Sequence, residues 1–108
     1  MSVNAFGEGP DAKARAATEA ALEARIRSRR NVMIGEWAAG LMGLEDVNAY
    51  ARAVARPDAE APPDEDILRK VSRDLVDSGL TVSAAEVRTK MDEFLAMARA
   101  QIAGQDRV

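Results

Sequence analysis

Four arginines crowd residues 25–30: Arg25, Arg27, Arg29 and Arg30. Grouped guanidiniums grip phosphate, so the cluster is a candidate anion site for a nucleotide or a nucleic-acid backbone. No aromatic residue interleaves it to stack a base, and the chain has no GxxxxGK[ST] phosphate loop. The plainer reading is a solvated helix face with one arginine in an internal ion pair. The acids Asp58, Glu60, Asp64, Glu65 and Asp66 are the right ligand type for a divalent cation, but lack the glycine and distal glutamate of a calcium loop. Their plainer role is a negatively charged helix start. Catalytic chemistry has few carriers. The absence of cysteine and histidine removes the thiolate nucleophile, the usual zinc ligands and the commonest general base. Asp92 and Glu93 are neighbours, pointing about 100° apart on a helix. Lys13, Lys70 and Lys90 remain as Schiff-base formers. The chain therefore reads as a non-enzyme with no catalytic residue, metal or cofactor, a nucleotide on the arginines being the only small ligand in view.

The segment that must position those arginines runs from Arg29 to Leu44, RRNVMIGEWAAGLMGL. Upstream, Met1 to Pro10 is small, polar and glycine-containing, and is expected to be disordered. Asp11 is a candidate N-cap for a helix from about Ala12. Between Ala12 and Ala24 the only large apolar residue is Leu22, so this stretch has helix propensity without an anchor and is expected to fray or project into solvent. Leu22, Ile26, Met33, Trp37 and Leu41 then recur on one helical stripe. Arg30 falls inside it and must snorkel or meet a carboxylate, one of the acids of residues 58–66 being the candidate partner. Gly40 and Gly43 punctuate the end of this helix.

Three more helices follow. Glu45 to Ala55 carries Val47, Tyr50, Ala51 and Val54 on one face. Arg56 to Asp66 holds three prolines and a local charge of −4, which marks a loop. Asp64 to Ser78 presents Ile67, Leu68, Val71 and Leu75, and Gly79 is its left-handed stop. Ser83 and Glu86 form a capping box for a helix from Ala84 to about Ala103, with Val87, Met91, Phe94, Leu95, Ala98 and Ile102 as its stripe and Gly104 as its end. The fold class is all-α: a small four-helix bundle with a flexible N-terminal arm. Residues 1–21 are the arm, 22–104 the bundle and 105–108 a frayed tail. Arg30, Trp37, Tyr50, Ile67, Val71, Met91, Phe94 and Leu95 are the expected structural residues.

Of 108 residues, 47% are apolar, but 22 of those 51 are alanine, so the core must be thin. Aromatic residues make up 4%, which argues against a sheet. The net charge of −3, with both signs interspersed, argues against a nucleic-acid partner. No apolar run approaches the roughly 20 residues of a membrane span, and the start has no apolar signal core, so a cytoplasmic protein without direct membrane insertion is expected.

A set of motifs, in order and at similar spacing from about Leu22 to Ile102, resembles one family. They are Arg29-Arg30-Asn31; Gly35, Trp37, Ala38 and Ala39; Gly43-Leu44; Tyr50-Ala51; Asp64-Glu65-Asp66 followed by Arg69-Lys70; and Met91-Asp92-Glu93 with Leu95. The family is the alphaproteobacterial zeta subunit, an inhibitor of the F-type ATP synthase. The resemblance implies a four-helix bundle whose mobile N-terminal segment wedges into a catalytic interface between alpha and beta subunits, near the rotating gamma shaft. The implied partners are thus the alpha, beta and gamma subunits of the catalytic head. The implied location is cytoplasmic, held at the inner membrane through the ATP synthase, with a monomer when free. Arg15, Glu19, Leu22 and Glu23 are the candidate contacts of the arm. The arm departs from the family pattern of Phe-x-x-Lys-Phe-Ala-x-Asp-Glu-Glu-Leu. Here the corresponding run holds Ala12, Ala16, Ala17, Glu19, Ala20, Ala21 and Leu22, with both phenylalanine positions alanine and Phe6 lying before the Gly7–Pro10 break. Aromatic anchors carry much of the energy of such interfaces, so weak or lost inhibition is expected. The alternative is a bundle of the same family that binds a nucleotide, another small ligand or a protein without inhibiting.

Overall fold

Helix-favouring residues with Gly and Pro punctuation build an all-helical fold over the described residues. The computed structural model describes residues 10–56 and 62–106. Among them are four helices and no strand: α1 (Pro10–Met42), α2 (Val47–Ala55), α3 (Asp64–Asp77) and α4 (Ala84–Asp106). The expected disorder of Met1 to Pro10, including Phe6, lies outside the described residues except at Pro10. So do Asp58 and Glu60, and residues 107 and 108 of the tail.

α1 is the strut of the fold. Its 33 residues span about 50 Å, and it packs against each of the other three helices, while α2 and α4 do not meet. It starts at Pro10, so Asp11 lies inside the helix rather than capping it. Proline suits the first helical position because its missing N–H would have no intrahelical partner. Three neighbours bury a wider face than one stripe. Ile26, Arg30, Asn31, Met33, Ile34, Gly35, Ala38 and Ala39 are all buried, and Trp37 is half-buried. Leu41, placed in the core by its spacing, is 45% exposed. It falls in the final turn, at the end of the bundle, where lateral neighbours run out; Met42 packs against the core instead.

Two apolar clusters result. The main one joins Ile34 and Ala38 to Val54, Ile67, Leu68, Val71, Leu75, Val87 and Met91. A smaller one joins Ile26 and Met33 to Ala98 and Ile102, with Leu22 and Leu95 at its edge. Phe94 packs against both and so bridges them. All four expected core residues of α3 are buried, while on α4 Phe94 and Leu95 are only half-buried.

The helix ends follow the turn chemistry. Leu44 N–H bonds to Ala39 O at 3.1 Å and Gly43 N–H to Gly40 O at 3.2 Å, a Schellman stop around Gly43 at φ 71°. Gly40 stays inside the helix. Gly79, at φ 84°, repeats the motif through Leu80 N–H to Leu75 O. Asp46 caps α2 through Ala49 N–H, so that helix starts two residues later than Glu45. Ser83 and Glu86 bond reciprocally as a capping box. α4 runs through Gly104 to Asp106, past the stop expected at Gly104 and into the tail expected to fray at 105 and 106. Gly104 does not take the left-handed φ of a stop, and a helical glycine costs only about 1 kcal/mol relative to alanine.

α2 ends on Arg56 at φ 50° and ψ 59°, a left-handed conformation without glycine. Left-handed backbone costs an L-residue with a Cβ about 1–2 kcal/mol. Arg56→Gly is therefore expected to raise the melting temperature by several degrees, read by circular dichroism. A fall would show that the arginine side chain contributes more than its backbone strain.

Candidate functional site

Among the described residues, those least occupied with the chain's own packing are at the start of α1. Residues 13–21 are exposed throughout, in an unbroken helix. Arg15 and Glu19 stand on this projection in solvent. Thr18 returns its hydroxyl to Ala14 O at 2.9 Å, one turn back. The helix persists without an anchor because it extends one the bundle has already nucleated, and each added residue gains a hydrogen bond without a new nucleation cost.

The projection is rooted at Leu22 and Glu23. Leu22 is half-buried against the smaller cluster. Glu23 accepts two hydrogen bonds from Arg99 on α4, at 2.6 and 3.1 Å. Six residues further along α1, Arg29 Nε donates to Gln101 Oε1 at 3.0 Å. Of the four arm contacts read from the sequence, two therefore stand free of the bundle and two are engaged in it. The Arg99 guanidinium holds the Glu23 carboxyl below its ordinary value, and Glu23 in turn raises Arg99. The pair's small contribution to stability is present at neutral pH and is lost as pH falls through the depressed Glu23 value. In a carbon-13 titration, Arg99→Ala is expected to move the Glu23 midpoint upward; an unmoved midpoint would show that the pair does not form in solution.

The four arginines do not converge on one site. Arg30 is 2% exposed; its Nη2 donates to Asp64 Oδ1 at 2.7 Å and its Nε to Asn31 Oδ1 at 2.7 Å. Arg27 approaches the same Asp64 oxygen at 3.6 Å. Arg25 and Arg29 face the other way, into an open cleft of about 430 Å³ between α1 and α4, lined also by Ser28, Gln101 and Gln105. The acids disperse too: Asp64 serves Arg30, Glu65 takes Arg88 at 3.0 Å, and Asp66 takes Arg69 at 3.1 Å. No group of three metal-ligating side chains forms among the described residues. Lys70 bonds Asp74 at 3.1 Å and lies over the Tyr50 ring, whose hydroxyl also donates to Asp74 at 2.7 Å. Lys90 bonds Glu93 at 3.2 Å and lies over Phe94. Burial and the Asp74 carboxylate push the Tyr50 phenol well above its ordinary range. Trp37 borders a cleft of about 260 Å³ with Ala85, Glu86, Thr89 and Lys90, its indole half in the core. None of these groups pairs a nucleophile with a base.

Sequence reasoning named Asn31 only within the Arg29-Arg30-Asn31 motif and gave it no structural role. It is fully buried, accepts from Arg30, and leaves its Nδ2 without a partner among the described residues. The one available signal was its place beside Arg30, since apolar periodicity is blind to a buried amide.

The described residues thus hold an exposed helical projection over residues 13–21 and a charged root at Glu23 and Arg99. The family profile described as ATPase inhibitor subunit zeta matches residues 11–101. The chain belongs to that family. No curated protein and no solved structure matches it. An ATPase inhibitor family is regulatory rather than catalytic. In this zeta-family chain the match covers α1 from residue 11, all of α2 and α3, and α4 as far as residue 101. No helix among the described residues is long and apolar enough to cross a membrane.

Proposed function

We propose that the chain is a non-enzymatic regulator of the F-type ATP synthase that acts by inserting its N-terminal arm, residues 1–21, at a catalytic alpha/beta interface near the gamma shaft. Residues 22–104 are the scaffold that carries the arm, and the free chain is a monomer. It works in the cytoplasm, at the inner membrane only through the enzyme. The observation that carries this reading is the zeta-family match over residues 11–101. The exposed helix of residues 13–21 supports it, since a helix that uses none of its surface at home has that surface to offer a partner. Arg15 and Glu19 make the outer contacts, and Leu22 and Glu23 the inner ones.

The brake is weak. Ala12, Ala16, Ala17, Ala20 and Ala21 bury little area where an aromatic anchor would bury about 150–250 Å². The experiment is ATP hydrolysis by the cognate catalytic head stripped of its own zeta, with the full chain or a version starting at Leu22. The shortened chain keeps every residue of both apolar clusters. Inhibition by the full chain alone locates the brake in the arm. Co-sedimentation without inhibition leaves a docked subunit that has lost its brake. No binding and no inhibition rejects the ATP synthase reading and favours a bundle serving a nucleotide or another partner.

A further inference from the structure

We infer that the outward side of α1, between α2 and α4, is a docking face of the bundle, and that it takes an acidic helical segment of the catalytic head. The partner rests on the ATP synthase reading; the face rests on the fold. α2 and α4 both pack on α1 but do not meet, so one strip of α1 is left between them. From residue 25 to residue 40 only Arg25, Arg29, Glu36 and Gly40 are exposed, with half-buried Val32 in line between Arg29 and Glu36. Successive members stand three or four residues apart, which puts all five on one face of the helix. A cleft of about 220 Å³ flanks the strip on the α2 side, where Val32 meets Asn48, Ala51, Arg52 and Ala55. The cleft of about 430 Å³ flanks it on the α4 side, at Arg25 and Arg29.

The floor of this face is small and apolar, and its rim is basic. Val32, Ala51 and Ala55 form the floor on the α2 side, and Arg52 stands exposed at its edge. Arg29 stays exposed although its Nε is held by Gln101. Arg25, Arg29 and Arg52 thus face Glu36 alone, in a chain whose net charge is −3. The arginines do not close on one point. The strip from Arg25 to Glu36 runs for about 16 Å along α1, and Arg52 belongs to another helix. A phosphate needs guanidiniums that converge on it, and no aromatic side chain lies among these to stack a base. Charges strung along a shallow apolar strip suit an extended contact instead. An amphipathic helix laid along α1, with Asp or Glu on its flanks, matches both the floor and the rim.

The test is the affinity of the full chain for the catalytic head stripped of its own zeta, with circular dichroism to check that each variant is folded. Arg29→Glu combined with Arg52→Glu should weaken binding on the order of tenfold, because reversed rim charges slow the encounter and set like charges together. Arg52→Glu alone, at an exposed position, should give part of that loss and decides the matter if the double variant does not fold. Arg73→Glu, an exposed reversal on α3 and outside this face, should bind like the parent chain. Reversals at 29 and 52 that leave the affinity unchanged, or an equal loss from Arg73→Glu, overturn the docking face. If the parent chain does not bind the head, the ATP synthase reading fails, and the face is judged with a probe that needs no enzyme: a helical peptide of alanine and glutamate, titrated into nitrogen-15-labelled chain. Shifts at the amides of Arg29, Val32 and Arg52 that added salt removes support the face. No shifts there, or shifts produced by inorganic triphosphate and not by the peptide, overturn it.

Discussion

Gly35→Ala is expected to destabilise the fold by about 2 kcal/mol, although alanine is the better helix former. A Cβ built on Gly35 lies 2.7 Å from the Ala51 Cα and 3.3 Å from its Cβ. The obstacle is the backbone of α2, which cannot swing aside as the tip of a side chain can. α1 and α2 must separate, and the contacts of Ala38 and Val54 loosen with them. Overpacking of this kind costs about 1–3 kcal/mol, and the backbone contact puts Gly35 in the upper part of that range even after the gain in propensity. Gly40 provides the internal control. It lies in the same helix with nothing within 4 Å of an added Cβ, so Gly40→Ala should stabilise by up to about 1 kcal/mol. Thermal unfolding should show the first variant falling by about 10 °C and the second rising by a few degrees. If both rise together, α1 and α2 do not approach this closely in solution.

Gly35 also shows where reading the sequence stops. Periodicity finds residues large enough to mark a face. Ile67, Leu68, Val71 and Leu75 are all buried where their spacing put them, because α3 offers a single narrow face to the core. α1 packs against three helices, and five of its eight buried residues are small or polar: Gly35, Ala38, Ala39, Asn31 and Arg30. A single stripe through the large apolar residues therefore missed Ile34 and retained Leu41. The turn residues were more legible, since Gly43, Gly79 and the Ser83–Glu86 box act through local geometry that needs no knowledge of neighbours. Gly104 misled for the same reason. Glycine permits a left-handed stop but does not compel one.

The candidate site divides in a similar way. A poorly anchored, helix-prone segment before Leu22 was legible from composition. Its continuity with α1 was not, because an isolated segment of that length is marginal while the same segment extending a nucleated helix is favourable. The clasp of Glu23 on Arg99 spans 76 positions in the chain and has no sequence signal. Its consequence is functional. A partner that gripped Leu22 and Glu23 would compete with the bundle for them, whereas Arg15 and Glu19 are available without such a contest.

The other large effect belongs to Arg30 and Asp64, and it is expected to be asymmetric. The Arg30 side chain is 3% exposed and that of Asp64 54%. Removing the acid leaves a buried guanidinium with Asn31 Oδ1 as its remaining partner. Breaking a buried pair in this way costs about 3–5 kcal/mol, and because water reaches the Asp64 side the lower end applies, about 3 kcal/mol for Asp64→Ala. Glu65 and Asp66 still supply negative charge to the first turn of α3, so loss of the helix start is not the main term. Arg30→Met removes the charge and keeps an apolar stem in the same space. Asp64 then stands in water beside Arg27, and the residual cost, about 1 kcal/mol, is that of Asn31 Oδ1 losing its donor. The double variant should be no less stable than Arg30→Met alone, a coupling of about 2–3 kcal/mol in a double-mutant cycle read by urea unfolding. Equal and additive single effects would show that the arginine is not buried against this acid. With the coupling present, the pair acts less as a source of net stability than as a pin. A charge that is tolerable only opposite Asp64 holds α1 in one rotational setting against α3, and with it the direction in which the arm leaves the bundle.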